Sequence, residues 1–376
     1  MSTAIDSDEL SVSPLELFFD LVFVFSITQV VTLLEADTSI RGLAGGLLVL
    51  LLIWWSWSQY TWALNSVGNQ APAIKLALLA AMAAVLFMAL AVPDALGDGG
   101  MWFAAGYTVV LLFGLVIFAI GMPREKMSDL ALYAVPALVG VLTVLIGGFL
   151  SGDARLAVWG IGNAIQIGAA FASGQGDFSI KSAHFAERHA LFVIIALGEI
   201  IVAVGLAAAG GGRTVQTTAA LGGAFVVVAV LWWAYFDWLA AAMEEAISRL
   251  TEPARSSAAR DIFTLGHIPL VAGFVLYAVG AEEAVAHPSE HLEMAGRTAL
   301  SLAIAFVVLG FAFLAYRSEQ VITWARLVAG ALAVGAVLGL PDIAGGTILW
   351  IVALLIGTSL VIEQPQIRAV ESTADR

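Results

Sequence analysis

Long apolar stretches recur along the whole chain and are separated by short turns rich in Gly, Pro, Asp and Ser. A helix that crosses a bilayer core about 30 Å thick needs about 20 consecutive apolar residues. The pattern therefore predicts an all-α integral membrane protein with about twelve transmembrane helices. The predicted spans are Pro14–Leu34, Leu43–Leu64, Ala73–Val92, Met101–Gly121, Leu130–Leu150, Leu156–Phe171, His189–Ala209, Thr217–Ala241, Ile262–Ala281, Gly296–Tyr316, Val321–Leu340 and Ile343–Ile362.

The composition supports a membrane protein and excludes several other classes. Hydrophobic residues make up 61% of the chain and charged residues 12%, whereas soluble domains have about 45–50% and about 25%. The net charge of −13 argues against nucleic-acid binding, which depends on basic surfaces. Cysteine is absent, which excludes disulfides, thiolate metal sites and a cysteine nucleophile. We therefore expect the lipid bilayer as a partner and no nucleic acid.

The distribution of lysine and arginine predicts the orientation of the chain. With twelve spans, most of these residues fall in connections on the side of the N-terminus, and the opposite side holds only Arg41, Arg155, Arg213 and Arg297. Since positive residues concentrate on the cytoplasmic side, both termini are predicted to be cytoplasmic. Residues 1–13 have no basic segment, so we expect no cleaved signal peptide.

The two halves of the chain resemble each other. Glu16–Val24 is matched by Glu187–Ile195, and each half continues into a tryptophan-rich segment, Trp54–Tyr60 and Trp232–Trp238. The duplication predicts two parallel six-helix repeats, an arrangement in which ligands bind near the midplane between the halves. We interpret the tryptophans as interfacial anchors in preference to substrate-stacking residues. The predicted organisation is a cytoplasmic N-terminal tail 1–13, a first repeat 14–173, a connection 174–188, a second repeat 189–362 and a cytoplasmic C-terminal tail 363–376.

Two blocks of the sequence carry a family resemblance. The segment Ser13–Phe25, with Leu-Glu-Leu-Phe-Phe-Asp, and the segment Glu187–Glu199, with Glu-Arg, an apolar run and Leu-Gly-Glu, resemble signatures of the bacterial low temperature requirement A family. The resemblance implies a multipass protein of the bacterial cytoplasmic (inner) membrane. The family name links its members to growth in the cold.

Ionisable side chains within predicted spans are candidates for function, because burying them in lipid is costly. Glu16 and Asp20 lie four positions apart on one helix face. They are candidates for a proton or cation site; alternatively Asp20 pairs with another helix, for instance with Arg188, and Glu16 is an interfacial acid at a helix N-terminus. Glu199, near the centre of the seventh span, is a candidate proton carrier or a carboxyl that hydrogen-bonds a facing helix. Its neighbour Gly198 is predicted to allow either close helix approach or a local opening of the backbone.

Alignment of the two repeats places Asp20 opposite Leu191 and Glu199 opposite Thr28, so each half contributes a different intramembrane acid. This complementarity predicts an asymmetric site lined by the first and seventh helices.

A second group of polar residues precedes and follows the start of the second repeat. His184, Glu187 and Arg188 share a helical face, whereas His189 is rotated by about 140°. One His and one Glu are too few ligands for zinc, so we expect no metal or cofactor and predict a gating or charge-pairing role at the cytoplasmic mouth. Asp237 and His267 are secondary candidates. Asp237 is a candidate to polarise a cavity, or else it caps a helix end or is solvated at the interface. His267 is a candidate to relay protons, or else it is a hydrogen-bonded structural histidine.

These observations favour a secondary transporter or ion pathway, proton-coupled through Asp20, Glu199 and Glu16, for a small ion or solute that the sequence does not identify. The alternative is a membrane-embedded enzyme or sensor that acts on lipids or membrane state during cold adaptation. Parallel duplication and acids at span depth favour transport. The sequence leaves the oligomeric state open.

Overall fold

A computed structural model describes residues 12–67, 71–121, 127–173 and 180–374. These residues are almost entirely helical, and within them ten helices are long and apolar enough to cross a membrane. The prediction of an all-α, multipass membrane protein is confirmed at this level. The helices are α1 Pro14–Ala36, α2 Ile40–Val67, α3 Pro72–Leu90, α4 Gly100–Gly121, α5 Met127–Gly148, α6 Gly152–Ser173, α7 Ser182–Gly210, α8 Val215–Phe236, α9 Leu239–Ser248, α10 Ala254–Ala259, α11 Ile268–Ala286, α12 Met294–Glu319, α13 Trp324–Gly339 and α14 Gly345–Ala374.

Two of the twelve predicted spans form helices that are not among the ten. The predicted span Leu156–Phe171 lies in α6, which carries the buried polar residues Asn163 and Gln166 and is therefore less apolar. The predicted span Val321–Leu340 shortens to the 16 residues of α13. At 1.5 Å per residue this helix is about 24 Å long, which is less than the bilayer core of about 30 Å. The count of twelve spanning helices is not confirmed.

The described residues form two compact units. The first comprises the residues up to Phe192 together with Ile247–Thr264, and the second comprises Val193–Ala246 together with the residues from Leu265 onward. The six-plus-six repeat remains a prediction. Parts of the predicted organisation lie outside the described residues: 1–11 of the N-terminal tail, 174–179 of the inter-repeat connection and 375–376 of the C-terminal tail.

The predicted connection 242–261 contains helical structure. It holds the end of α9, all of α10 and the beginning of a π-helical segment, Arg260–Leu265, which leads toward α11. Single turns of π-helix inside α-helices are rare and often occur at functional sites. This segment therefore marks a place in the first unit to search for function.

Glycines allow helices to approach closely within the first unit. A Cβ added at Gly140 on α5 would lie 2.7 Å from the carbonyl oxygen of Gly162 on α6, and one added at Gly162 would lie 2.8 Å from the carbonyl oxygen of Gly140. Small residues at such crossings bring backbones into van der Waals contact, which stabilises helix pairs in lipid. The α5–α6 pair thus depends on the absence of side chains at both positions.

A buried ion pair joins α13 and α14 in the second unit. Arg326 Nη2 donates a hydrogen bond to Glu363 Oε2 at 2.9 Å, and the backbone N–H of Arg326 donates to Glu363 Oε1 at the same distance. Both residues are only 2% exposed. Glu363 falls in the predicted C-terminal tail, but α14 continues through it to Ala374. Its burial follows from this pairing, which neutralises the Arg326 charge and satisfies an N–H at the start of α13.

We expect Arg326→Leu to destabilise the second unit strongly. Removing one partner of a buried pair leaves an uncompensated charge, which costs about 3–5 kcal/mol. The Arg326→Leu/Glu363→Leu double variant, which buries no charge, should recover most of this loss. Reversible unfolding in mixed micelles measures both free energies. A double variant no more stable than the single one would show that the pair does not act as a balanced unit.

Candidate functional site

The start of α1 fixes the first carboxylate of the candidate site. Ser13 caps the helix: its hydroxyl accepts a hydrogen bond from the backbone N–H of Glu16 at 3.3 Å and donates one to Glu16 Oε2 at 2.8 Å. Glu16 Oε2 also accepts from the backbone N–H of Ser13, which completes a capping box. Since Asp20 follows one turn later, both carboxylates point to the same buried side of α1, and they are 2% and 0% exposed.

Arg188 of α7 contacts both of these carboxylates. Its Nη2 donates a hydrogen bond to Asp20 Oδ1, and its Nη1 lies 3.6 Å from Glu16 Oε1. The guanidinium is fully buried and packs near the rings of Phe19 and Trp57, with centroids 6.0 and 5.9 Å away. One guanidinium therefore interacts with two carboxylates in a site where aromatic rings take the place of water.

Trp57 of α2 adds a neutral donor. Its indole nitrogen donates to Asp20 Oδ1 at 2.8 Å, so this oxygen accepts two hydrogen bonds. The other carboxylate oxygen, Asp20 Oδ2, is buried without a hydrogen-bond partner among the described residues. A buried carboxylate oxygen in that position favours a proton or a visiting cation.

The orientation of the Asn65 amide determines which nitrogen of the His184 ring accepts a hydrogen bond. The Asn65 amide is fixed by the backbone of Lys181, whose N–H donates to Asn65 Oδ1 at 2.9 Å and whose carbonyl accepts from Asn65 Nδ2 at 3.0 Å. Asn65 Nδ2 also donates to His184 Nδ1 at 3.2 Å. His184 Nδ1 is thus an acceptor, and the ring proton resides on Nε2, which donates to Glu16 Oε1 at 3.1 Å. This network fixes the orientation of the His184 ring.

The four side chains of Glu16, Asp20, His184 and Arg188 form what we call the acid–arginine cluster. Two carboxylates, of Glu16 and Asp20, face the single guanidinium of Arg188 and the imidazole of His184, so the carboxylates outnumber the guanidinium by one. Buried charge without compensation is costly, and uptake of one proton or cation removes the cost. This imbalance is the chemical property that distinguishes the site.

The other residues of the predicted gating group lie around the cluster. Glu187 Oε2 accepts a hydrogen bond from the backbone N–H of Val12 at 3.0 Å. This bond joins the residues just before α1 to α7. His189 is buried; its Nδ1 bonds the carbonyl of Phe185 at 2.9 Å, and its ring packs against Trp57 with centroids 4.9 Å apart. Among the described residues, no group of three or more His, Cys, Asp and Glu side chains is placed to hold a metal ion.

The remaining sequence candidates belong to the second unit. Glu199 is half-buried on α7, and no described atom lies within 4 Å of a Cβ added at Gly198, so the predicted close helix approach at that glycine is wrong. Asp237 is exposed at the end of α8 and accepts from Gln364 Nε2 at 3.0 Å. His267 is fully buried and its Nε2 lies 2.8 Å from the Tyr235 hydroxyl.

Sequence reasoning missed two members of the site, Trp57 and Asn65. Trp54 and Trp57 are 2% and 0% exposed, so the interpretation as interfacial anchors is wrong for them. In the second half, Trp232, the counterpart of Trp54, is 47% exposed, and Trp233, the counterpart of Trp55, is 52% exposed. The polar residues Ser58, Gln59 and Asn65 within the same helix were the available signal, because a helix face with amides and hydroxyls at span depth points inward.

Replacement of Trp57 by Phe tests the hydrogen bond to Asp20. Losing a donor to a buried carboxylate should cost about 1.5–3 kcal/mol of unfolding free energy. Trp55→Phe is the matched control, because Trp55 lies on the same helix, is 4% exposed and makes no described contact with Asp20. Reversible unfolding in mixed micelles compares the two. Equal losses would mean that only indole burial matters at Trp57.

Comparison with known proteins agrees with the two sequence blocks described above. The family model for the bacterial low temperature requirement A protein matches residues 11–358. An uncharacterized protein of Rhizobium meliloti (strain 1021) is 29% identical over 297 residues, which cover 75% of this chain and 72% of that protein. The range matched by the family model contains the residues of the acid–arginine cluster and most of the helices. The chain belongs to the bacterial low temperature requirement A family of multipass membrane proteins.

Proposed function

We propose that this protein is a secondary transporter or ion pathway of the bacterial cytoplasmic membrane, with both termini in the cytoplasm, and that it is coupled to protons through intramembrane carboxylates. The acid–arginine cluster is the proposed coupling site in the first unit. Glu199 is the proposed acid of the second unit. The transported ion or solute is small and is left open.

The observation that carries the proposal is the unequal number of charges in the cluster. Glu16 and Asp20 share the single guanidinium of Arg188, and Asp20 Oδ2 has no hydrogen-bond donor among the described residues. Because Asn65 occupies the acceptor nitrogen of His184, the imidazole is not the favoured acceptor for an added proton. The proton is therefore expected on Asp20 Oδ2, where it neutralises the cluster without breaking the contact with Arg188.

Proton binding at Asp20 provides a physical basis for coupling. The protonated cluster is neutral and the ionised cluster is negative, so the two forms differ in their interactions with a cation and in the cost of exposing the site to water. A solute that binds one form more tightly shifts the equilibrium between them, which is the thermodynamic requirement for coupled movement.

The test is transport by the full chain in liposomes that contain a pH-sensitive dye. Na⁺, K⁺ and amino-acid gradients are imposed in turn, and the wild-type protein should produce a change of internal pH with at least one of them. Asp20→Asn and Glu199→Gln, made separately, should reduce this change to the level of protein-free liposomes, because each removes a proton-binding carboxylate and keeps the shape of the side chain.

Glu35→Gln is the matched control, since Glu35 lies on α1 but is exposed, and it should transport like the wild type. Size-exclusion profiles in detergent establish that every variant is folded before reconstitution. Wild-type rates in folded Asp20→Asn and Glu199→Gln would overturn proton coupling. Absence of any pH change in the wild type with all the gradients would overturn the proposed function itself.

A further inference from the structure

A cavity in the first unit shares no lining residue with the acid–arginine cluster. It encloses about 620 Å³ of empty space, including its opening, and its walls come from α2, α4, α5, α6 and the segment of α10 that continues into the π-helix. Four aromatic residues contribute to the walls: Trp55, Trp62, Phe118 and Tyr133. A concave, mainly aromatic space with a few polar groups is the usual form of a small-molecule site.

Gln59 supplies an unused polar group in this cavity. The residue lines the cavity and is 5% exposed, and its Oε1 is buried without a hydrogen-bond partner among the described residues. Gly114 of α4 makes room for it, because a Cβ there would lie 3.1 Å from both Cδ and Oε1 of Gln59. An unsatisfied buried carbonyl oxygen costs stability, and a ligand N–H or O–H removes that cost.

Two hydroxyl groups of the wall, those of Ser58 and Thr264, are hydrogen-bonded to each other. Thr264 Oγ1 accepts from Trp62 Nε1 at 2.9 Å and from Ser58 Oγ at 3.2 Å. Thr264 also fixes Trp54, whose indole nitrogen donates to its carbonyl oxygen at 2.7 Å. The π-helical segment therefore holds α2 in place and keeps the wall rigid. Gln59 Oε1 remains available to accept a hydrogen bond from a ligand.

The charge in the wall is compensated. Arg260 donates to Asp261 Oδ1 from both Nε, at 3.1 Å, and Nη2, at 2.8 Å, and its guanidinium lies 3.9 Å from the centroid of the Phe171 ring. With this pair formed, the wall offers no net charge to an ionic ligand. The occupant that fits is uncharged, flat enough to stack on indole and phenyl rings, and carries one hydrogen-bond donor.

We propose that this cavity is a binding site for uncharged aromatic molecules with an N–H or O–H donor, which Gln59 Oε1 accepts. The site goes beyond the proposed transport function and does not depend on it. It is formed by residues of the first unit alone, and none of them belongs to the acid–arginine cluster.

Indole and 1-methylindole are the probes, because they have the same ring and differ in the donor. Tritiated indole is bound to the full chain in nanodiscs, and saturable binding is defined by competition with unlabelled indole after subtraction of protein-free nanodiscs. Indole should compete about fivefold more strongly than 1-methylindole, as expected for one hydrogen bond to a buried acceptor. Gln59→Leu should abolish this difference while the cavity still takes up both compounds.

Gln29→Leu is the matched control, since Gln29 is half-buried on α1 and does not line the cavity, and it should keep the wild-type preference. If Gln59→Leu does not fold, Gln59→Asn withdraws the acceptor by one methylene and should lose the preference in the same way. Equal binding of the two probes by the wild type, an unchanged preference in either Gln59 variant, or the absence of saturable indole binding would overturn the proposal.

Discussion

The interaction on which the first unit depends is the contact of one buried guanidinium with two carboxylates. Arg188 of α7 reaches Asp20 and Glu16 on consecutive turns of α1, and Trp57 of α2 donates to the same Asp20 oxygen. Three helices are thereby joined at side chains that could not be buried singly. Each partner lowers the free-energy cost of burying the others.

The second unit contains a useful contrast. Arg326 and Glu363 are also buried and hydrogen-bonded, but there one acid meets one cation, and the charges balance. A balanced pair of this kind has no physical reason to exchange a proton and serves to join α13 and α14. The acid–arginine cluster uses the same side-chain chemistry with one additional carboxylate. In the function proposed above, this additional negative charge, rather than burial itself, is the reason why the cluster binds and releases a proton.

The sequence predicts the class of the protein and several of these side chains, and it fails where partners are distant along the chain. Apolar stretches and acids at span depth are local signals, so the membrane fold and the candidacy of Asp20 and Glu16 follow directly. The pairing of Asp20 with Arg188 is one alternative that the sequence leaves open, because the residues are 168 positions apart. Nothing local shows that Asn65 bonds the ring of His184, since the orientation of its amide depends on the Lys181 backbone.

The errors have physical causes as well. Tryptophan is common both at membrane interfaces and in tightly packed interiors, so its position in a span does not separate Trp57 from Trp233. Glycine at a helix surface suits both close contact and open space, and the sequence of α7 does not distinguish them at Gly198. The count of twelve spans includes α6, which carries buried amides, and α13, which is short, and neither meets the length and hydropathy of the ten apolar helices. Each of these distinctions depends on how the helices pack, which the local sequence does not show.

Infrared difference spectroscopy of the carboxyl groups tests the central claim most directly. The full chain in nanodiscs is titrated with acid and base, and the carbonyl stretch of protonated carboxylic acids is followed in the wild type, Asp20→Asn and Glu35→Gln. The account predicts a protonated carboxyl that titrates while the protein remains folded, that is lost in Asp20→Asn and that persists in Glu35→Gln. A spectrum in which Asp20 stays ionised over the whole range in which the protein is folded would contradict it.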